Sequence, residues 1–142
     1  MKAWTKLLIS FAALLASGWI VHGPLGQGAA FVAGLQAEAD AAVRASMAPP
    51  TRIAFGHDPL SRAATLSGSA NDFQRNGMGL LPGITGTVAA VPGVGAVHWA
   101  DAGSGGFVLP LLVETEALAL LPWLIGIALG WHLFRPRRET FL

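Results

Sequence analysis

Residues 117–134 read ALALLPWLIGIALGWHLF, eighteen consecutive residues without Asp, Glu, Lys or Arg. A helix of about 20 apolar residues is needed to cross the hydrocarbon core of a bilayer, and the apolar character of this run begins earlier, at Val108. Glu114 and Glu116 lie where such a helix would enter the membrane, and Trp131 lies where it would leave. Residues 108–134 are therefore predicted to form a transmembrane helix.

A second apolar run, LLISFAALLASGWIV at 7–21, follows Lys2 and Lys6. It predicts an N-terminal transmembrane helix within residues 1–22. A secretory signal peptide is the alternative, because a basic start, an apolar run and the small residues 16–18 are also the components of a cleaved leader. The composition leaves both interpretations open.

The overall composition agrees with membrane segments. Of the 142 residues, 53% are hydrophobic and 12% are charged, which is too apolar for an ordinary soluble domain of this size. The absence of cysteine excludes disulfides, thiolate metal sites and a cysteine nucleophile. The net charge of +1 and the lack of a Lys/Arg cluster between the two apolar runs argue against nucleic-acid binding.

The basic residues predict the orientation. Five of the nine Lys and Arg lie in the short tails outside the two runs, namely Lys2, Lys6, Arg135, Arg137 and Arg138. Short loops rich in Lys and Arg stay on the cytoplasmic side. We therefore expect a bacterial inner-membrane protein with both termini cytoplasmic, including the basic tail 135–142, and with residues 23–107 in the periplasm.

The region between the runs is predicted to be a small α+β domain. Residues 28–47 (GAAFVAGLQAEADAAVRASM) predict an amphipathic helix whose apolar positions are Phe31, Leu35, Ala39, Val43 and Met47. Strand-like runs begin at Thr51 and Arg62 and are predicted to pair as a hairpin with a loose loop. A short helix at Ile84–Val91 and a third strand at Ala96–Ala100 complete an αββαβ order.

Two motifs within residues 30–101 resemble the BON domain, a small module of bacterial envelope proteins. The first is ATLSG at 64–68 and the second is VPGVGAV at 91–97; the matching positions are Leu66, Ser67, Gly68, Gly93, Val94 and Val97. The segment NDFQRNGMGLLPG at 71–83 stands where the family has a continuous Ala-rich helix. The resemblance implies a noncatalytic domain associated with membranes, phospholipid or envelope partners.

No catalytic or metal-binding pattern is evident in the sequence. His57 with Asp58, and His98 with Asp101, lack the further ligands and the spacing of known metal sites. Ser61 lies near His57, but the G-x-S-x-G turn that exposes a nucleophilic serine is missing. The glycine-rich segment 76–86 lacks the Lys-Ser/Thr ending of a phosphate-binding loop. We expect neither enzymatic activity nor a cofactor.

The remaining candidates are contact surfaces. Apolar residues in an irregular glycine-rich stretch can form an exposed contact patch or cap the core, and for partner binding we select Phe73, Met78, Leu80 and Leu81. Gly126 and Gly130 are spaced for close helix packing in the membrane. The sequence thus predicts a noncatalytic interaction protein that contacts membrane lipids and either another membrane protein or further copies of itself. An accessory subunit of a respiratory or photosynthetic complex and a phospholipid-binding module are the alternatives.

Overall fold

The computed structural model describes residues 2–79, 81–103 and 108–134. A small α+β region lies between two long apolar helices. In chain order the elements are α1 (Ala3–His22), α2 (Gln27–Ala45), β1 (Thr51–His57), β2 (Leu60–Gly68), α3 (Asp72–Asn76), β3 (Gly77–Met78), β4 (Leu81–Pro82), α4 (Ile84–Ala89), β5 (Ala96–Trp99) and α5 (Leu111–Phe134). The basic tail predicted at 135–142 lies outside the described residues.

The two terminal helices form an antiparallel pair. Phe11 of α1 packs against Trp123 of α5 with ring centroids 5.5 Å apart, and Gly18 of α1 lies beside Glu116, about two turns nearer the start of α5. The helices contain 20 and 24 residues, and both are long and apolar enough to cross a membrane. The predicted helical character of both ends is therefore present in the structure.

The central sheet has the strand order β1-β2-β5, with β2 antiparallel to β1 and parallel to β5. The prediction of a loose hairpin loop was wrong, because β1 extends to His57 and β2 already starts at Leu60. Gly56 makes this extension possible: a Cβ atom there would lie 2.5 Å from the hydroxyl of buried Ser61. The chain bulges at this glycine, and the ladder continues to the tight turn.

Helix α2 covers the sheet with three of the five apolar positions predicted for it. Leu35, Ala39 and Val43 are buried as expected, together with Val32. Phe31 and Met47 are 43% and 94% exposed. The helix ends at Ala45, so Met47 leaves it with a φ of 53° and points away from the core.

The crossover from β2 to β5 contains the glycine-rich segment 76–86, which the sequence predicts to be irregular. Asn71 caps α3 through a reciprocal bond with Gln74. The short helix predicted at 84–91 is α4, and the predicted third strand is β5. Gly68 at the end of β2 and Gly93 before β5 have φ values of 154° and 98°, which glycine adopts readily.

Candidate functional site

The residues predicted for partner binding lie on the surface of the crossover. Phe73 of α3 is 51% exposed, and Met78 of β3 and Leu81 of β4 are each 68% exposed. Leu80, the fourth predicted residue, lies outside the described residues. The three described side chains therefore do not cap the core, which was the competing interpretation of this segment.

Two glycines turn these apolar side chains outward. Gly77 ends α3 with a φ of 77°, and a Cβ atom there would lie 2.1 Å from the carbonyl oxygen of Leu81. A Cβ atom on Gly83 would lie 2.3 Å from the Gly77 nitrogen. The backbone of the β3–β4 hairpin thus packs tightly on itself, so the larger side chains of the segment are directed to solvent.

Met47 extends this surface. It lines a cavity of about 220 Å³ together with residues that include Phe73, Leu81 and Pro82. Met78 pairs with Leu81 in the hairpin, so Met47, Phe73, Met78 and Leu81 form one continuous surface, which we call the apolar patch. The sequence did not predict Met47 as part of this surface, because its spacing from Val43 fits the apolar face of α2. The Pro49–Pro50 pair that follows was the signal that the helix ends before Met47.

A salt bridge fixes the patch to the sheet. The Arg75 guanidinium, at the end of α3, makes two hydrogen bonds of 2.8 and 2.7 Å with the Asp101 carboxylate, and it stacks 4.2 Å above the Trp99 ring. Hydrogen bonding to Arg75 lowers the pKa of Asp101, and the same bond raises the pKa of Arg75. The Trp99 indole in turn donates to the Thr85 hydroxyl at 3.0 Å, so α3, α4 and β5 are held together under the patch.

A second concave site lies where the terminal helices join the domain. This junction cavity has a volume of about 370 Å³, and its walls come from the end of α1, the start of α2, one residue of β2 and the start of α5. Its apolar lining includes Val21, Phe31, Leu111 and Leu118. Arg62 of β2 lies at its edge, where its Nε donates to Glu114 at 2.5 Å.

Glycine allows two close contacts beside the junction cavity. The imidazole of His22 lies against Gly28, where a Cβ atom would be 2.5 Å from the ring. The carboxylate of Glu116 lies against Gly18, and its buried Oε2 has no hydrogen-bond partner among the described residues. Bulkier residues at either glycine would have to displace these polar side chains.

The predicted helix-packing glycines are free of contacts within the described residues. A Cβ atom on Gly126 or Gly130 would meet nothing within 4 Å. The face of α5 that meets α1 is instead formed by Glu116 and Trp123, whose indole donates to the Ser10 hydroxyl at 3.3 Å. Any close packing at the two glycines would therefore involve a helix from another molecule.

The histidine and carboxylate pairs are not brought into a cluster. Across residues 2–79, 81–103 and 108–134 there is no group of three His, Asp or Glu side chains placed to hold a metal ion. His98 bonds the Thr65 hydroxyl at 2.9 Å on the neighbouring strand. Ser61 is buried, whereas His57 and Asp58 are exposed in the hairpin turn, so the structure does not assemble these three groups.

No protein-family model, no curated protein and no solved structure matches this chain.

Proposed function

We propose that this chain is a noncatalytic interaction protein of a bacterial inner membrane, anchored by α1 and α5, that presents its α+β domain to a protein partner on the periplasmic side. The observation that carries the proposal is the apolar patch. Four large apolar side chains, each at least half exposed, lie together beside the Arg75–Asp101 salt bridge and the Arg75–Trp99 stack. Contiguous exposed apolar surface of this kind marks contact sites in soluble domains.

The antiparallel packing of α1 and α5 supports the membrane placement. Because the helices run in opposite directions, the start of α1 and the end of α5 lie on the same side. That side carries Lys2 and Lys6, and the positive-inside rule assigns it to the cytoplasm. The domain, attached between the helices, then lies in the periplasm.

The resemblance to the BON domain is part of the same proposal. The domain has the αββαβ elements in α2, β1, β2, α4 and β5, with α3 and the β3–β4 hairpin inserted before α4. The two glycines of the matching motifs, Gly68 and Gly93, have positive φ values. Val97 pairs with Ala64 in the parallel ladder, so the two motifs lie side by side in the sheet. A family associated with envelope partners is consistent with a binding role for the surface beside it.

The position of the patch restricts the partner. The junction cavity involves Gly28 at the start of α2, whereas Met47 follows the end of that helix. At 1.5 Å per residue, the two positions are about 28 Å apart. A partner of the patch therefore approaches the end of the domain remote from the terminal helices, and we expect it to offer an apolar protein segment.

Site-specific photo-crosslinking in the full chain tests this proposal. A photoreactive amino acid at Phe73 is expected to give a discrete adduct in intact membranes, either with another protein or with a second copy of the chain. The same amino acid at Glu38, on the exposed face of α2, is the matched control. Absence of an adduct at Phe73, or equal adducts at both positions, would refute the contact role of the patch.

A second interaction surface is supported by the open face of α5. A Cβ atom on Gly126 or Gly130 would meet no atom of another described element within 4 Å, and small residues four apart allow another transmembrane helix to approach closely. This favours a membrane-embedded partner, as in the accessory-subunit alternative. Affinity purification in mild detergent followed by mass spectrometry distinguishes such a partner from self-association.

A further inference from the structure

The junction cavity is positioned at the level where a bilayer would meet the domain. Its walls include the last turn of α1 and the first two turns of α5, so part of the cavity opens between the two apolar helices. The opposite edge is formed by α2 and Arg62 of the folded domain. If the helices span a membrane, as proposed above, this cavity lies at the headgroup region, with Leu118 on the side of the acyl chains.

The chemistry of the cavity is amphipathic. Val21, Phe31, Leu111 and Leu118 supply an apolar wall. Polar side chains also line the cavity, namely His22, Gln27, Arg62, Glu114 and Thr115. On α5 the apolar Leu118 lies one turn beyond Glu114, on the side away from the domain. A ligand with an apolar chain and a polar head matches this division.

The polar edge carries one charge of each sign. Arg62 and Glu114 are bonded to each other, and their side chains remain 34% and 22% exposed. Arg62 uses Nε for Glu114 and Nη1 for the carbonyl of Gly93. A guanidinium has five N–H donors, so donors on Nη2 stay available, as does the Oε1 acceptor of Glu114, among the described residues.

We propose that the junction cavity binds one phospholipid whose head combines a phosphate with a primary amine. The phosphate would accept hydrogen bonds from Arg62, and the ammonium would donate to Glu114. A zwitterionic head matches the balanced charge of this pair, whereas an anionic head would leave Glu114 facing a second negative charge. The acyl chain would lie against Phe31 and Leu118, which are 43% and 73% exposed in the protein alone.

This site is separate from the apolar patch and depends only on the membrane placement in the proposed function. It is formed largely by α1 and α5, so residues 23–107 alone would lack most of it. The full chain must therefore be used to test it.

Native mass spectrometry of the full chain, purified in mild detergent and incubated with lipids, provides the test. One phosphatidylethanolamine per chain is expected to remain bound, with roughly tenfold weaker retention of phosphatidylcholine, whose quaternary amine cannot donate to Glu114. Leu118→Trp is expected to abolish retention by filling the cavity. Leu121→Trp is the matched control, because Leu121 is similarly exposed on α5 but does not line the cavity.

A charge substitution tests the head contacts. Glu114→Gln leaves one positive charge at the edge, so the retained lipid is expected to change from phosphatidylethanolamine to phosphatidylglycerol. Circular dichroism of the same samples shows whether the variant is folded. If it is unfolded, the comparison of Leu118→Trp with Leu121→Trp tests the lipid site.

The lipid site would be overturned by retention of phosphatidylglycerol by the unaltered chain, by equal retention of all three lipids, or by unchanged binding in Leu118→Trp. A chain that sediments with membranes yet retains no lipid also refutes the site, while leaving the membrane placement intact. A chain that is absent from the membrane fraction refutes the proposed function itself.

Discussion

The apolar patch gives a prediction whose magnitude follows from side-chain exposure. Complete burial of a Leu or Phe side chain contributes about 1.5–3 kcal/mol relative to an exposed one. Phe73 and Leu81 are 51% and 68% exposed, so burial against a partner is expected to contribute about 1–2 kcal/mol each. The double variant Phe73→Ser, Leu81→Ser should weaken the complex by about 3 kcal/mol, or about a hundredfold in Kd.

The assay is the yield of the adduct formed from a photoreactive amino acid at Met78, which lies within the patch. The double variant is expected to lose most of this adduct at partner concentrations near the original Kd. Leu25→Ser is a suitable control, because Leu25 is 62% exposed in the turn before α2 and does not line the cavity at the patch. It should leave the adduct unchanged.

A thermal melt of the same proteins separates binding from folding. Substitution of exposed side chains outside the core changes the free energy of unfolding by less than about 0.5 kcal/mol, so the double variant should melt within a few degrees of the original chain. An unchanged adduct would show that the patch is not the contact surface. A large fall in Tm would show that Phe73 and Leu81 stabilise the core, contrary to their exposure.

Three further outcomes are expected. Leu66→Ala removes a fully buried side chain from the core and should cost about 3 kcal/mol, seen as a fall in the Tm of the domain of about 15 °C; a fall below 4 °C would contradict the core assignment. Asp101→Asn should lower the Tm at neutral pH by weakening the bond to Arg75, and the difference from the original chain should disappear in acid. Because folding lowers the pKa of Asp101, its contribution is complete above the ordinary value of about 3.9 and is lost as the pH falls through the lower folded value; a difference that grows in acid would refute this. Replacing Gly126 and Gly130 together by Ile should reduce recovery of a membrane partner in mild detergent without altering the pairing of α1 with α5; unchanged recovery would exclude helix contact at this face.

The elements of the domain could be predicted from the sequence because their signals are local. Asn71 with Gln74 determines where α3 starts, and the glycine-rich stretch that follows excludes one long helix before α4. The alternation around Leu66 and the turn residues before Ala96 place the strands. The β3–β4 hairpin was missed, since two strands of two residues each leave no periodicity to detect.

The surfaces that carry the proposals depended on contacts between distant residues. Met47 fits the apolar spacing of α2, and only the packed structure shows that it leaves the helix and joins Phe73 and Leu81. Arg62 and Glu114 are 52 positions apart, so nothing in their spacing indicates that they share the edge of a cavity.

The sequence by itself determined the two apolar helices, because helix length and hydropathy are properties of a continuous segment. It also determined the order of α2, β1, β2, α4 and β5 between them, but not the β3–β4 hairpin. Only the tertiary structure decided which apolar side chains are buried and which are exposed, since that depends on how α2, the sheet and the crossover pack together. The same packing placed Gly126 and Gly130 on a face without contacts in the described chain, and Gly18 against Glu116.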